Sequence, residues 1–341
     1  MTEERTQIYD ILKTHLRYPG ERHTGEYGVE IETETKKKYD YPELKYWTCT
    51  KDNSLRDWGV EYVLKAPMER KELNRAFEEF NLCEKKYKFN DSSISTSVHV
   101  HINMLNETYL TLANFLTTYT LVENLLIRFS GPDRLSNLFC LPIRDCIGVK
   151  DSIVKMLQAV ARNNFKGSAL HPDQVKYGAI NCAPLTRIGT VEVRSFRGET
   201  NTEIVKVWVE ILDKIKTFAK RPGLTPIEVM NLWKIRGEKL LDIIFEEHAD
   251  KLRWTDSKKL IEINQFEAAE IATSAKDWKK FGIVKVKKVY KAKLLEELNQ
   301  ISRNKYEADF EQLDYAHRLV VIEQFHRLTP DVRVVYSEED I

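Results

Sequence analysis

Paired cysteines, long apolar runs and nucleotide-loop motifs are all missing from this sequence. Its five cysteines, Cys49, Cys83, Cys140, Cys146 and Cys182, form no CxxC pair. Their odd number and scatter exclude a disulfide framework and a zinc ribbon, so buried free thiols are expected. No apolar run approaches the roughly 20 residues that span a bilayer, and MTEERTQIYD shows no basic-then-apolar leader. A cytoplasmic protein with no membrane partner is expected. Neither GxxxxGKS/T nor GxGxxG occurs, so a bound nucleotide would need an architecture other than a P-loop or a Rossmann unit. An excess of one charge is lacking too. With 53 basic and 52 acidic side chains the net charge is +1, and a nucleic-acid partner would need a local patch. No internal repeat or low-complexity tract interrupts the chain.

What is present suits a globular fold: 341 residues, 42% hydrophobic and 31% charged, can bury the core of one large domain or two. The chain is organised around Gly28-Val29-Glu30-Ile31-Glu32. In a strand, residues i and i+2 share a face, so Glu30 and Glu32 project together while Val29 and Ile31 face the other way. Taken alone, this also describes an ordinary half-solvated strand. Three later segments repeat polar residues on alternate strand positions: Asp52 to Glu61, the pair His99 and His101, and the pair Glu192 and Arg194.

Around these strands the periodicity predicts helices. TQIYDILKTHLRY forms a short one that stops at Pro19-Gly20. Lys36 to Pro42 is a loop, and Tyr46 to Thr50 is a strand leading to a turn at Asp52-Asn53-Ser54. Gly59 to Leu64 returns as a strand, residues 69 to 82 are helical, and Ser97 to Met104 is a strand with His99, His101 and Asn103 on one face. A long core-facing helix is expected from Asn106 to Phe129, another over residues 151 to 163, and a strand over Val191 to Phe196. Thr202 is the expected N-cap of a helix through Ala219. Arg221-Pro222-Gly223 breaks the pattern, and Thr225-Pro226-Ile227-Glu228 matches a capping box that opens a further helical region.

Five carboxylates that converged without compensation would repel, and several would take up protons. A hard cation such as magnesium, which shares carboxylate oxygens with substrate phosphates, removes that conflict. The alternative is that the acids sit on separate solvated faces. His99-Val100-His101 followed by Glu107 also invites a cupin-like transition-metal reading, with a longer spacing than a cupin uses. Arg194 reads either as a cation beside moving phosphoryl charge or as one half of a plain ion pair.

The ordered set GVEIE, KDNSLRDWGVEYVLKAP, TSVHVHINM, RLSNLFC and TVEVRSFRGETN resembles the amidoligase family found in phages and some microbes. That family is related to glutamate-cysteine ligase and shares the catalytic fold of glutamine synthetase. The match runs from about Tyr27 to Thr200, with Ser97-Val98 standing where the family usually has a different pair. The resemblance implies an α+β protein. Its glutamine-synthetase-like antiparallel sheet has flanking helices and a concave face of metal-binding acids, which use ATP and magnesium to join a carboxylate to an amine. Carried over residue by residue, it implies that Glu30, Glu32, Asp52, Glu61 and Glu192 hold the metal. It puts His99 and His101 near the nucleotide phosphates and Arg194 of the E-x-R motif at the γ-phosphate. Arg134 and Asn137 fall at a further polar pair on the cofactor side.

The expected division is a catalytic core over residues 1–220 and a mostly helical region over 221–341, outside the resemblance. In the latter, Lys276 to Lys293 holds eight lysines with Trp278, Phe281 and Tyr290 interleaved. This segment either contacts nucleic acid or another anionic partner, or is a solvated face whose lysines also protect a short strand edge over Ile283 to Tyr290. The expected activity is carboxylate-amine ligation through an acyl phosphate, on small-molecule, peptide or modified-base substrates. It acts in the cytoplasm, the host's if the protein is phage-encoded. A phosphotransferase on the same fold and a binding or scaffold protein are the alternatives.

Overall fold

A computed structural model describes residues 7–328 apart from 16–17, 53–54, 91–92, 94, 132–133, 135–136, 139, 162–177, 277 and 279–290. Six strands form one antiparallel sheet: β1 (Tyr27–Thr33), β2 (Trp47–Lys51), β3 (Val60–Leu64), β4 (Ser97–Asn103), β5 (Ile180–Asn181) and β6 (Thr190–Arg197), in the order β2-β3-β1-β4-β6-β5. The GVEIE strand thus lies between β3 and β4, inside the sheet. Period-two alternation sends Val29, Ile31, Tyr62, Val98, Val100, Ile102, Val191 and Val193 to one face, where all are 2% exposed or less.

Helices cover that apolar face. After α1 (Ile8–His15), helix α2 (Arg70–Tyr87) brings Phe77 and Phe80 against Trp47 and Tyr62, and the Trp47 indole donates to the Ala76 carbonyl. Helix α3 (Tyr109–Ser130) starts at a Thr108 cap, and α4 (Ile147–Ala161) and α5 (Leu185–Ile188) follow. Trp208 on α6 (Thr202–Ala219) stacks on Phe196 of β6 at 4.8 Å. The cap of α6 is Asn201, not the expected Thr202. Asparagine caps at least as well as threonine, and the Thr202 hydroxyl is bonded instead to the Asn81 amide on α2.

The remaining helices are α7 (Pro226–Arg236), α8 (Leu240–Phe245), α9 (Ser257–Ile263), α10 (Gln265–Ala272), α11 (Lys291–Tyr306) and α12 (Tyr315–Leu328). Thr225 caps α7 through the Glu228 amide, with Pro226 at the first helical position. The last strand ends at Arg197, yet the hydrophobic core continues beyond residue 220 through Leu224, Val229, Leu241, Ile271 and Tyr315. The reason is α3. It is buried on every side, since α7, α9 and α10 pack on the flank turned away from β6 and α6. Its asparagines bond to the chain around it: Asn114 to the Ala219 and Leu224 carbonyls, Asn124 to the Leu260 carbonyl and the Asn264 side chain. Among the described residues, α11, α12 and the turn between them also build a small separate core around Leu298, Phe310 and Val321. No helix among the described residues is long and apolar enough to cross a membrane.

Glu123 lies in the same α3 interface, fully buried. One carboxylate oxygen accepts from the Ile143 amide at 2.8 Å, and the other has no hydrogen-bond partner among the described residues. Burial, aided by Asp145 and Glu267, pushes its pKa up to about 8. The folded state therefore holds this proton more tightly than the unfolded chain does. The associated stability is complete below the ordinary value near 4.5 and is lost as pH rises through about 8. We expect a fall on the order of 3–5 kcal/mol across that window. Urea midpoints measured from pH 5 to 9 should show this decline in the native protein and a much flatter profile in Glu123→Gln. An unchanged profile in the variant would assign the decline to other groups.

Candidate active site

The face of the sheet opposite the core carries the charged residues, and strand register brings them together. Glu30 stands opposite His99, Glu32 opposite Glu61, and His101 opposite Glu192, which also faces Asn181 of β5. Directly opposed side chains start about 5 Å apart, so the members of each pair stand side by side. Gly28 is the partner of His101, and a Cβ there would lie 3.2 Å from the His101 Cβ, close enough that His101 would have to shift by a few tenths of an ångström. Asp52 joins from just beyond the end of β2. Three groups have ligand atoms within 4.8 Å of one another: Glu30, His101 and Glu192; Glu30, Glu61 and His99; and Glu32, Asp52 and Glu61. Glu30 and Glu61 each belong to two of them, so all five expected acids and both histidines form one connected cluster.

Hydrogen bonds order this cluster. Glu30 accepts from His99 Nδ1 at 2.9 Å and from His101 Nε2 at 3.0 Å. The second nitrogen of each ring is also engaged, His99 Nε2 with Ser97 at 2.7 Å and His101 Nδ1 with Thr190 at 3.0 Å. Ser97 in turn donates to Glu32 at 2.6 Å. One line of hydrogen bonds thus runs from Glu30 through His99 and Ser97 to Glu32.

The electrostatics separate the acids. Burial works against the Glu30 carboxylate, but the hydrogen bonds and charges of His101 and His99 outweigh it and hold Glu30 far below the usual range. For His101, burial favours the neutral ring, yet the Glu30 bond and the Glu30 and Glu192 charges raise its pKa. Glu61 goes the other way, pushed up to about 7 by burial and by the neighbouring Glu30, Glu32 and Asp52 carboxylates. One like-charged member of the cluster is thus poised to lose its proton near neutrality.

Arg194 meets the cluster through Glu192, its Nη1 lying 2.5 Å from Oε1, while Asn181 Nδ2 donates to Oε2 at 2.8 Å. The buried Nε–H of Arg194 has no hydrogen-bond partner among the described residues. Arg134, 3% exposed, donates to the carbonyls of Arg194 and Ser195, and its guanidinium also meets the buried Cys140 thiol and the charge of Glu32. Asn137 belongs to the turn that follows, its amide bonded to the Arg134 carbonyl.

Glu107 stands apart from the histidines, paired with Lys216 and Lys220 at 3.1 and 2.9 Å, which removes the third ligand of a cupin-like site. Most of Lys276 to Lys293, including the strand expected over Ile283 to Tyr290, lies outside the described residues. Trp278, expected as a contact for an anionic partner, is buried and donates to the Ala272 carbonyl. Two contributors escaped the sequence reading. Ser97 bridges His99 and Glu32. Glu34 continues the Glu30, Glu32 alternation and accepts from the Arg56 amide at 2.7 Å and from Ser95, tethering the segment that follows Asp52. Arg197 is the strand partner of Ser97, but its guanidinium donates to the Ser130 carbonyl and to Glu199.

An antiparallel sheet with one face in the core and an acid, histidine and arginine cluster on the other defines an α+β protein with a candidate metal- and anion-handling site. A family model described as "putative amidoligase enzyme" matches residues 21–216, and the chain belongs to this family of ligase-type enzymes. The matched span covers the whole sheet and the whole cluster. Comparison with curated proteins finds no match.

Proposed function

We propose that this protein is an ATP- and magnesium-dependent carboxylate-amine ligase that works through an acyl phosphate on a glutamine-synthetase-like sheet, in the cytoplasm. The observation that carries this reading is the single connected cluster of five carboxylates, with Arg194 at its edge, inside the span matched to the amidoligase family.

The donor set fits a hard divalent cation. Glu32, Asp52 and Glu61 offer only oxygen, and all four ring nitrogens of His99 and His101 are already hydrogen-bonded. Glu30 and Glu192 would complete the metal-holding set. Magnesium bound there would neutralise charge on phosphate oxygens. A carboxylate oxygen of one substrate attacks the γ-phosphorus of ATP, the bond to the bridging oxygen breaks, and ADP leaves. The amine nitrogen then attacks the acyl carbon, the carbon–oxygen bond to phosphate breaks, and the nitrogen gives up a proton as phosphate departs. In the first step the Arg194 guanidinium, with its unspent Nε–H, stabilises charge on the moving phosphoryl group. His99 and His101 keep Glu30 ionised and oriented. Such a reaction depends on positioning and charge neutralisation, so no nucleophilic serine or cysteine is required.

Magnesium and ATP added together should raise the melting temperature by about 5 °C at a hundredfold excess over Kd, and neither alone should do so. Product mass then separates the chemistries. A ligase yields ADP, phosphate and a product lighter by one water than its two substrates. A stable phosphorylated product formed without an amine would replace this reading by phosphotransfer, and no response to magnesium with ATP would remove both.

A further inference from the structure

Strand β6 is irregular where the site needs it most. Between the pairs Val98–Phe196 and Val100–Val193, β4 contributes one residue, His99, and β6 contributes two, Arg194 and Ser195. This is a β-bulge, and it resets the faces of the strand. Before it, Val193 points to the core and Glu192 to the site. After it, Phe196 points to the core and Arg197 away from it, three residues beyond Arg194 instead of two or four. A regular strand of this sequence would turn either Val193 or Phe196 out of the core.

A bulge leaves backbone groups outside the ladder, and buried ones must find other partners. Here the Arg194 amide donates to the Ala179 carbonyl at 2.8 Å. The carbonyls of Arg194 and Ser195 are taken by one side chain, accepting from Arg134 Nη2 at 3.0 Å and Nε at 3.1 Å. Arg134 is anchored just after α3, its amide bonded to the Gly131 carbonyl. A guanidinium buried this deeply is tolerated only where its donors are used, and its planar fork matches two successive carbonyls in a way a lysine cannot.

We propose that Arg134 is a positioning residue: it clamps the β6 bulge and so aims the Arg194 guanidinium at the acid cluster. The clamp is independent of the reaction, and only its effect on turnover rests on the ligase reading. The sequence resemblance implied a cofactor contact for Arg134; its Nε and Nη2 hydrogen bonds go to the backbone of Ser195 and of Arg194, the residue expected at the γ-phosphate.

Two measurements test this on the full chain with Arg134→Lys and Arg134→Met. Hydrogen exchange followed by mass spectrometry should show amides of residues 193–197 exchanging at least about tenfold faster in both variants, with β1 and β3 unchanged. Turnover, measured with a substrate pair found active for the native protein, should fall about 10- to 100-fold in Arg134→Lys, the range seen when a residue orienting a site ligand is lost. Affinity for magnesium-ATP should stay within about threefold. In an Arg194→Ala background, Arg134→Lys should add little further loss, because the two residues act as one unit. Native exchange across β6, or losses that multiply in the double variant, would overturn the proposal. If Arg134→Met does not fold, Arg134→Lys alone decides. If the native protein turns over nothing, the ligase reading falls while the exchange result still decides the clamp.

Discussion

Glu61→Gln should give a protein that is more stable and at the same time inactive. Glu61 is half-buried on β3 opposite Glu32, and burial with three neighbouring carboxylates raises its pKa to about 7. A raised carboxyl pKa means that the associated stability is complete below about pH 4.5 and is lost as pH rises through about 7. At pH 8 the native protein bears that loss in full. The glutamine keeps the side-chain shape and an oxygen for the Thr50 hydroxyl, 3.4 Å away, but brings no charge. After allowance for solvent screening at a partly exposed site, a gain of about 1–2 kcal/mol is expected at pH 8. That corresponds to a rise of about 2–6 °C in melting temperature, and the gain should vanish at pH 4. Glu61 belongs to two of the three candidate metal groups, so the same change should weaken magnesium binding at least about 100-fold and abolish the thermal response to magnesium with ATP. Opposite signs for stability and function would mark an acid retained for its chemistry. A Glu61→Gln protein that is less stable at pH 8 yet binds magnesium normally would show that the acids compensate one another without a cation.

Much of this site is legible in the sequence because the strand repeat has a period of two. Once Val29 and Ile31 are assigned to the core, Glu30 and Glu32 must share the other face, and the same logic fixes Glu61, His99, His101 and Glu192. What the period cannot supply is register, which decides that Glu32 meets Glu61 and His101 meets Glu192. The bulge is hidden for the same reason: Arg194 and Ser195 look like ordinary alternating positions until β4 is laid beside them. Glu34 was within reach, since it extends the alternation by one step. Arg134 was not, because its loop carries no periodicity and its partners are backbone carbonyls. In the helices, apolar spacing identifies one buried stripe of α3, whereas Asn114 and Glu123 are buried, and Asn124 half-buried, by segments more than ninety residues further on. Polar residues that bond across helix interfaces look like solvent-facing ones until the neighbours are known.

Replacing Arg194 should separate binding from chemistry. Its guanidinium is held on one side by Glu192, and its buried Nε–H is unspent among the described residues, so the side chain is aimed before any substrate arrives. If it acts on charge that develops as the γ-phosphoryl group moves, Arg194→Lys should lower turnover by at least about 100-fold and Arg194→Ala by roughly 1000-fold or more, the scale on which an arginine contributes to phosphoryl transfer. Magnesium-ATP affinity should change by less than about tenfold in either variant, because an interaction made mainly in the transition state adds little to ground-state binding. The ion pair with Glu192 makes a competing forecast. Glu192 is buried, and losing its cation should cost about 1–2 kcal/mol of stability, partly offset by Asn181, which still donates to the carboxylate. If pairing were the whole role of Arg194, melting temperature would fall and turnover of the folded protein would stay near the native rate. The lysine variant decides between the two, because it keeps a positive charge for Glu192 and loses the planar fork. Turnover that collapses in Arg194→Lys while melting temperature holds assigns the residue to the phosphoryl group, and native turnover in Arg194→Ala would remove it from the mechanism.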